Sequence, residues 1–250
     1  MITQNGFKEA VAEITKACSD YFADRLMAIY ISGSVCYGEA FEGESDLDYW
    51  GFVLDEISEA DQLWLSGKEK MYEEQFGIFK GVHIGIKSLD YLKKDKFCSF
   101  ILKNNSKLYQ GYDVVGELYD SETDLLFPDK SVGKVRLGFA RKCLNDALNG
   151  LCPACIDGIP DDTYFAARKF ARYFVLVEGA YYLMSKGVFK SFEQEVVIGQ
   201  LKKHTTGFEE ILDLSLDVIK NPHGGIMNHW TYLEKVRLFT EWMFGAIEEA

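Results

Sequence analysis

The sequence predicts an α+β chain, in which a sheet-containing first half is followed by an all-helical second half. Three observations carry the prediction. Two β-prone runs, Leu26 to Ser32 (LMAIYIS) and Asp46 to Leu54 (DLDYWGFVL), lie close together behind an amphipathic segment. A polar, proline-bearing stretch, Asp120 to Gly133, then interrupts the chain. Beyond it, apolar residues recur only at helical spacing. The boundary is therefore expected near Pro128, dividing the chain into 1–128 and 129–250.

The elements follow in order. Phe7, Val11, Ile14, Cys18 and Phe22 recur at spacings of four, three, four and four, the stripe of a helix ending near Asp24. Leu26 to Ser32 reads as a strand buried on both faces and stopped by Gly33 and Ser34. The second strand is led in by Gly43, Glu44 and Ser45. A helix from about Ser58 to Glu73 comes next, then Gln75 to Lys87 (QFGIFKGVHIGIK), which suggests a hairpin turning at Lys80 and Gly81. Ser88 to Leu102 returns to helical spacing, and Asp113 to Asp120 is ambiguous between strand and helix. In the second half, helices are expected over 135–148, 163–185, 192–203, 208–219 and 232–249.

Composition narrows the classes of function. Hydrophobic residues make up 48% and aromatics 14% of 250 residues, enough to bury a core along most of the chain. The formal net charge of −12 makes a long nucleic acid a poor partner, because phosphate backbones are held by clustered Lys and Arg. A small molecule fits better. The chain opens Met1-Ile2-Thr3-Gln4-Asn5 without a basic patch and apolar run, and no apolar stretch reaches membrane-spanning length. The expectation is a cytoplasmic chain with no membrane partner and with six reduced cysteines.

The stretch Ile31 to Trp50 (ISGSVCYGEAFEGESDLDYW) combines three demands of a phosphate and metal site. A Gly-Ser pair ending a buried strand permits close backbone approach, and Ser34 adds a hydroxyl where a helix start offers free N–H groups. Asp46 and Asp48 stand two apart on the expected strand, so their side chains leave one face with Cα atoms about 6.6 Å apart. Leu47, Tyr49 and Trp50 are apolar or aromatic, which puts the acids on a rigid element. Taken alone, an Asp-x-Asp also reads as two exposed acids on an edge strand, and Gly33 with Ser34 as a turn. The joint pattern of Gly-Ser, Gly38 and Ser-Asp-x-Asp favours a site.

That pattern resembles the nucleotidyltransferases of the DNA polymerase beta superfamily. In layout the chain is similar to the small bacterial aminoglycoside and lincosamide nucleotidyltransferases, which append a helical domain. The resemblance implies a mixed β-sheet flanked by helices, followed by an all-α helical bundle. It implies that Gly33, Ser34 and Ser45 meet a nucleotide and that Asp46 and Asp48 bind a divalent metal, normally magnesium. The implied reaction moves a nucleoside monophosphate from a nucleoside triphosphate, ATP in the first instance, to a hydroxyl of a small acceptor. The acidic balance suits a cationic acceptor.

One departure bears on catalysis. Members carry a third acid on a later strand, where this chain offers His83. Two readings stand: His83 serves as a base or metal ligand, or the acid is lost and a weakened nucleotide- or partner-binding module remains. Glu73 and Glu74 lie just upstream and supply the acid if the hairpin register differs. In the helical half, Arg168, Arg172, Gly179 and Tyr182 follow at i, i+4, i+11 and i+14, with Lys186 beyond. By resemblance Arg168, Arg172 and Lys186 are candidates for the nucleotide and Glu178 for a catalytic base toward the acceptor. Against this, basic residues on bundle helices usually make solvated or interhelix pairs. Cys152 and Cys155 form a C-x-x-C without a second pair or a nearby histidine, so no role is assigned. His223 reads as a surface residue in a turn, and the helical half is also a possible homodimer surface.

Overall fold

A computed structural model describes residues 5–118, 167, 168, 170–221 and 229–248. The chain divides into two compact units, Met1–Leu126 and Phe127–Ala250.

The first unit opens with α1 (Asn5–Phe22), whose stripe of Phe7, Val11, Ile14, Cys18 and Phe22 is buried throughout. A short 3-10 turn leads into β1 (Leu26–Ser32). Next come α2 (Gly33–Tyr37), β2 (Leu47–Val53), α3 (Glu59–Phe76) and β3 (Val82–Ser88). Helices α4 (Leu89–Lys94) and α5 (Lys96–Asn105), strand β4 (Ser106–Gly111) and α6 (Val114–Leu118) complete its described part.

The strands form one mixed sheet in the order β3-β2-β1-β4. Strand β1 pairs antiparallel with both β2 and β4, whereas β2 and β3 run parallel. A parallel pair requires a crossover, and α3 is that crossover. Alternation along the strands separates two cores. Ile29, Ile31, Leu47, Tyr49, Val53, Val82, Ile84 and Ile86 meet α1 and α3 on one face. Ala28, Tyr30 and Phe52 meet Leu92, Cys98, Leu102, Val114 and Val115 on the other.

The expected hairpin over 75–87 is absent. Gln75 and Phe76 close α3, which ends at Gly77 in the left-handed conformation (φ 59°), and Phe79 plugs the first core. Only 82–88 is extended, and it pairs with β2 across the crossover. Strand β3 is the edge of the sheet among the described residues, and its outward N–H groups meet no described strand. Glu73 accepts from Val82 N (2.9 Å) and Glu69 from Ile84 N (2.7 Å), so α3 satisfies them with carboxylates. The single helix expected over 88–102 is broken at Asp95, whose carboxylate accepts the Cys98 N–H (2.9 Å) and starts α5. Within the ambiguous stretch from Asp113, 114–118 is helical. Strand β4 gave no periodic signal, because it is largely exposed along its length.

In the second unit, every described secondary-structure element is a helix. Residues 167, 168 and 170 precede a π-helical segment, Ala171–Val177, which runs into α7 (Glu178–Ser185). Helices α8 (Gln194–His204), α9 (Glu209–Lys220) and α10 (His229–Glu248) follow. The π segment turns each residue through less than the roughly 100° of an α-helix, so the stripe drawn from Arg168 to Lys186 does not stay on one line. The helix expected over 135–148, the boundary at Pro128, Cys152, Cys155 and His223 lie outside the described residues. Among the described residues no helix is long and apolar enough to cross a membrane.

Candidate functional site

The site forms where β1 ends and β2 and β3 begin. Register places Ser32 opposite Asp48, Asp48 beside His83, and Ser106 on the other side of Ser32. Directly paired residues share a face, so the sheet presents a polar row, Ser106, Ser32, Asp48 and His83, on the face opposite α1 and α3. Leu47 and Tyr49 are fully buried on the far side, which turns Asp48 to this face; Asp46, expected to open the strand, instead precedes it and has its Oδ1 by Gly81.

Gly33 adjoins the row with φ 66°, a conformation open to glycine at little cost. A Cβ built there would lie 3.2 Å from Asp48 Oδ2, so the bare backbone admits the carboxylate. The turn continues into α2, a helix of five residues capped by Gly38. Lys107 Nζ donates to the Cys36 carbonyl (3.1 Å) near the C-terminal end of that helix and stands 4.9 Å from the Tyr37 ring centroid. Burial pushes the Cys36 thiol up to about 12, which keeps it protonated beside the site.

Asp46 stands just before β2 and is exposed, as is His83. A Cβ built on Gly81 would lie 3.4 Å from Asp46 Oδ1, 3.7 Å from Glu73 Oε1 and 3.7 Å from His83 Nε2. These three polar side chains therefore converge around one small opening. The parallel register puts His83, and neither Glu73 nor Glu74, in the strand position beside Asp48. Glu73 reaches the same opening from α3 while holding the Val82 N–H.

The other candidates are engaged as follows. Ser34 is half-buried in the first turn of α2. Ser45 is buried, and its hydroxyl accepts the Phe41 N–H (2.9 Å), closing the loop before β2. In the helical unit Arg168 is buried and its Nε donates to the Ile219 carbonyl (3.2 Å); burial, then the neighbouring charge of Arg172, lowers its guanidinium to about 10. Lys186 Nζ donates to the Ala246 carbonyl (2.6 Å), Arg172 is half-buried, and Glu178 is buried.

The Asp48 carboxylate at the end of the row suits a hard cation, which binds through one or two carboxylates and completes its shell from water and phosphate oxygens. Among the described residues no group of three or more His, Cys, Asp or Glu side chains is placed to hold a metal ion, Asp46, Glu73 and His83 included. Sequence reasoning passed over Ser32 and ranked Glu73 only as an alternative. The signal for Ser32 was a hydroxyl ending an otherwise apolar run, and its Oγ is buried with no hydrogen-bond partner.

No family model matches the chain, and no curated protein does. Among solved structures, it is similar to the crystal structure of spectinomycin adenyltransferase AAD(9) from Enterococcus faecialis with ATP and spectinomycin. The likeness covers 96% of this chain and 99% of that chain at 13% identity, with a TM-score of 0.50. At that identity the match speaks for the fold: an α+β chain built like a nucleotidyltransferase, with a mixed sheet first and helices after it.

Proposed function

We propose that this chain is a nucleotidyltransferase that moves a nucleoside monophosphate from a nucleoside triphosphate, ATP first among them, to a hydroxyl of a small acceptor. The observation that carries the reading is the Asp48 carboxylate lying against Gly33, with His83 beside it in the register and Asp46 near His83 at Gly81. The fold shared with an adenyltransferase supports it. In this reading 1–128 is the nucleotidyltransferase domain and 129–250 a helical domain.

Asp46 and Asp48 would hold magnesium, which when bound neutralises charge on the phosphate oxygens. Gly33 and Ser34 line the phosphates, where a side chain on residue 33 would obstruct approach. The acceptor oxygen attacks the α-phosphorus in line and forms the new P–O bond as the bond to pyrophosphate breaks. His83 Nε2, beside Asp46, takes the proton that the acceptor loses. A net charge of −12 favours a cationic acceptor such as an aminoglycoside.

A second reading rests on His83 itself. With an imidazole where the resembled pattern has an acid, the chain is a nucleotide-binding module of reduced turnover. Incubation with labelled ATP, magnesium and a panel of hydroxyl acceptors separates the two. Transfer that is lost in Asp46→Ala and reduced about a hundredfold in His83→Ala supports the enzyme. Binding without transfer supports the module, and absence of both removes the proposal.

A further inference from the structure

We infer that Ser32 is a positioning residue acting through Asp48; this rests on the reading of Asp48 as a cation ligand. Ser32 is 3% exposed, and its Oγ has no hydrogen-bond partner. Buried hydroxyls are rarely left so, and an unpartnered one asks for an explanation in function or strain. The neighbours on either side in the row frame the choice. Ser106 turns its hydroxyl to the Leu102 carbonyl and leaves Ser32 alone. Asp48 stands directly opposite, where paired residues bring their Cβ atoms to about 4.5–5.5 Å. Its Oδ2 leans toward the end of β1, reaching the space where Gly33 lacks a side chain.

Rotation about a single side-chain bond of Ser32 thus turns an O–H toward this carboxylate. A carboxylate offers two oxygens. When ligand draws Asp48 into one orientation, the serine hydroxyl holds the oxygen that a cation does not use. The bond is absent from the free protein and formed in the loaded one, so its free energy contributes to ligand binding and none of it to the resting fold. A hydroxyl idle until the site fills accounts for a serine in a strand whose other buried positions are apolar or aromatic.

The test compares Ser32→Ala, Ser32→Thr and Asp48→Ala by thermal unfolding and by calorimetric titration of ATP, with magnesium and with EDTA. Ser32→Ala is expected to unfold at the same or a higher temperature, since it deletes an unpartnered hydroxyl. Its affinity for ATP with magnesium falls about tenfold, while affinity in EDTA is unchanged. Ser32→Thr restores the hydroxyl and the affinity. If Ser32→Ala does not fold, Ser32→Cys, close in size and a weak donor, must show the same loss. Ser32→Ala binding like the wild type while Asp48→Ala loses magnesium-dependent affinity overturns the inference and leaves the proposed function standing. Unchanged binding in Asp48→Ala overturns the cation reading, and the role of Ser32 with it.

Discussion

Gly33→Ala tests the site where backbone and carboxylate meet. The residue has φ 66°, and an alanine held there costs about 1–2 kcal/mol in stability. The same methyl would stand 3.2 Å from Asp48 Oδ2, closer than ordinary contact, so the carboxylate must give way by a few tenths of an ångström. Gly43 supplies the control. Its φ is 73°, yet a Cβ there meets nothing within 4 Å, so Gly43→Ala carries the backbone cost without touching the site. Urea unfolding followed by tryptophan fluorescence should lower both variants by about 1–2 kcal/mol. Calorimetry with ATP and magnesium should then separate them, with Gly33→Ala weakened about tenfold or more and Gly43→Ala unchanged. Equal affinity in the two variants would refute the reasoning, as would a Gly33→Ala protein of undiminished stability.

Two further outcomes are expected. Hydrogen bonds from the Arg25 guanidinium, at 3.1 and 3.2 Å, hold the buried Asp61 carboxyl well below the usual carboxylate range, and Ser58 N (2.9 Å) adds to this at the start of α3. Because the folded value is depressed, this stabilisation is whole above the unfolded value near 3.8 and is lost as pH falls toward the folded one. Asp61→Asn should therefore lower stability at neutral pH by about 1–3 kcal/mol and flatten the acid limb of a stability–pH curve, measured by urea titration at stepped pH. Burial pushes the thiols of Cys18, Cys36 and Cys98 up to about 12, so peptide mapping after iodoacetamide at pH 8 should find them unmodified in native protein and modified in urea.

Legibility in the sequence followed the reach of each interaction. The stripe of α1, strand β1 and the alternation of β2 that buries Leu47 and Tyr49 opposite Asp48 are local patterns, and all three are present. The hairpin expectation failed because Gln75 to Phe79 mixes a helix end with a residue that fills the core, and an apolar run has the same composition in either state. The pairing of β3 with β2 depends on a crossover, which no local pattern encodes. Strand β4 is recruited by the edge of β1 and lacks apolar alternation. At the candidate site, Gly33 and the two aspartates were visible as residue types at a spacing. The idle hydroxyl of Ser32 and the approach of Glu73 were invisible, since both depend on neighbours from other strands and helices.

The grip of α3 on the sheet rim is a matter of matched pitch. Four residues of helix advance about 6.0 Å and two residues of strand about 6.6 Å, so glutamates one turn apart can engage alternate amides of a strand running the opposite way. Glu73 with Val82 and Glu69 with Ile84 use that near-coincidence. No foreign strand can dock along this rim without first prising off both side chains. The histidine between those two amides is thereby held from both sides, by the α3 carboxylates along the rim and by the β2 pairing that sets it beside Asp48.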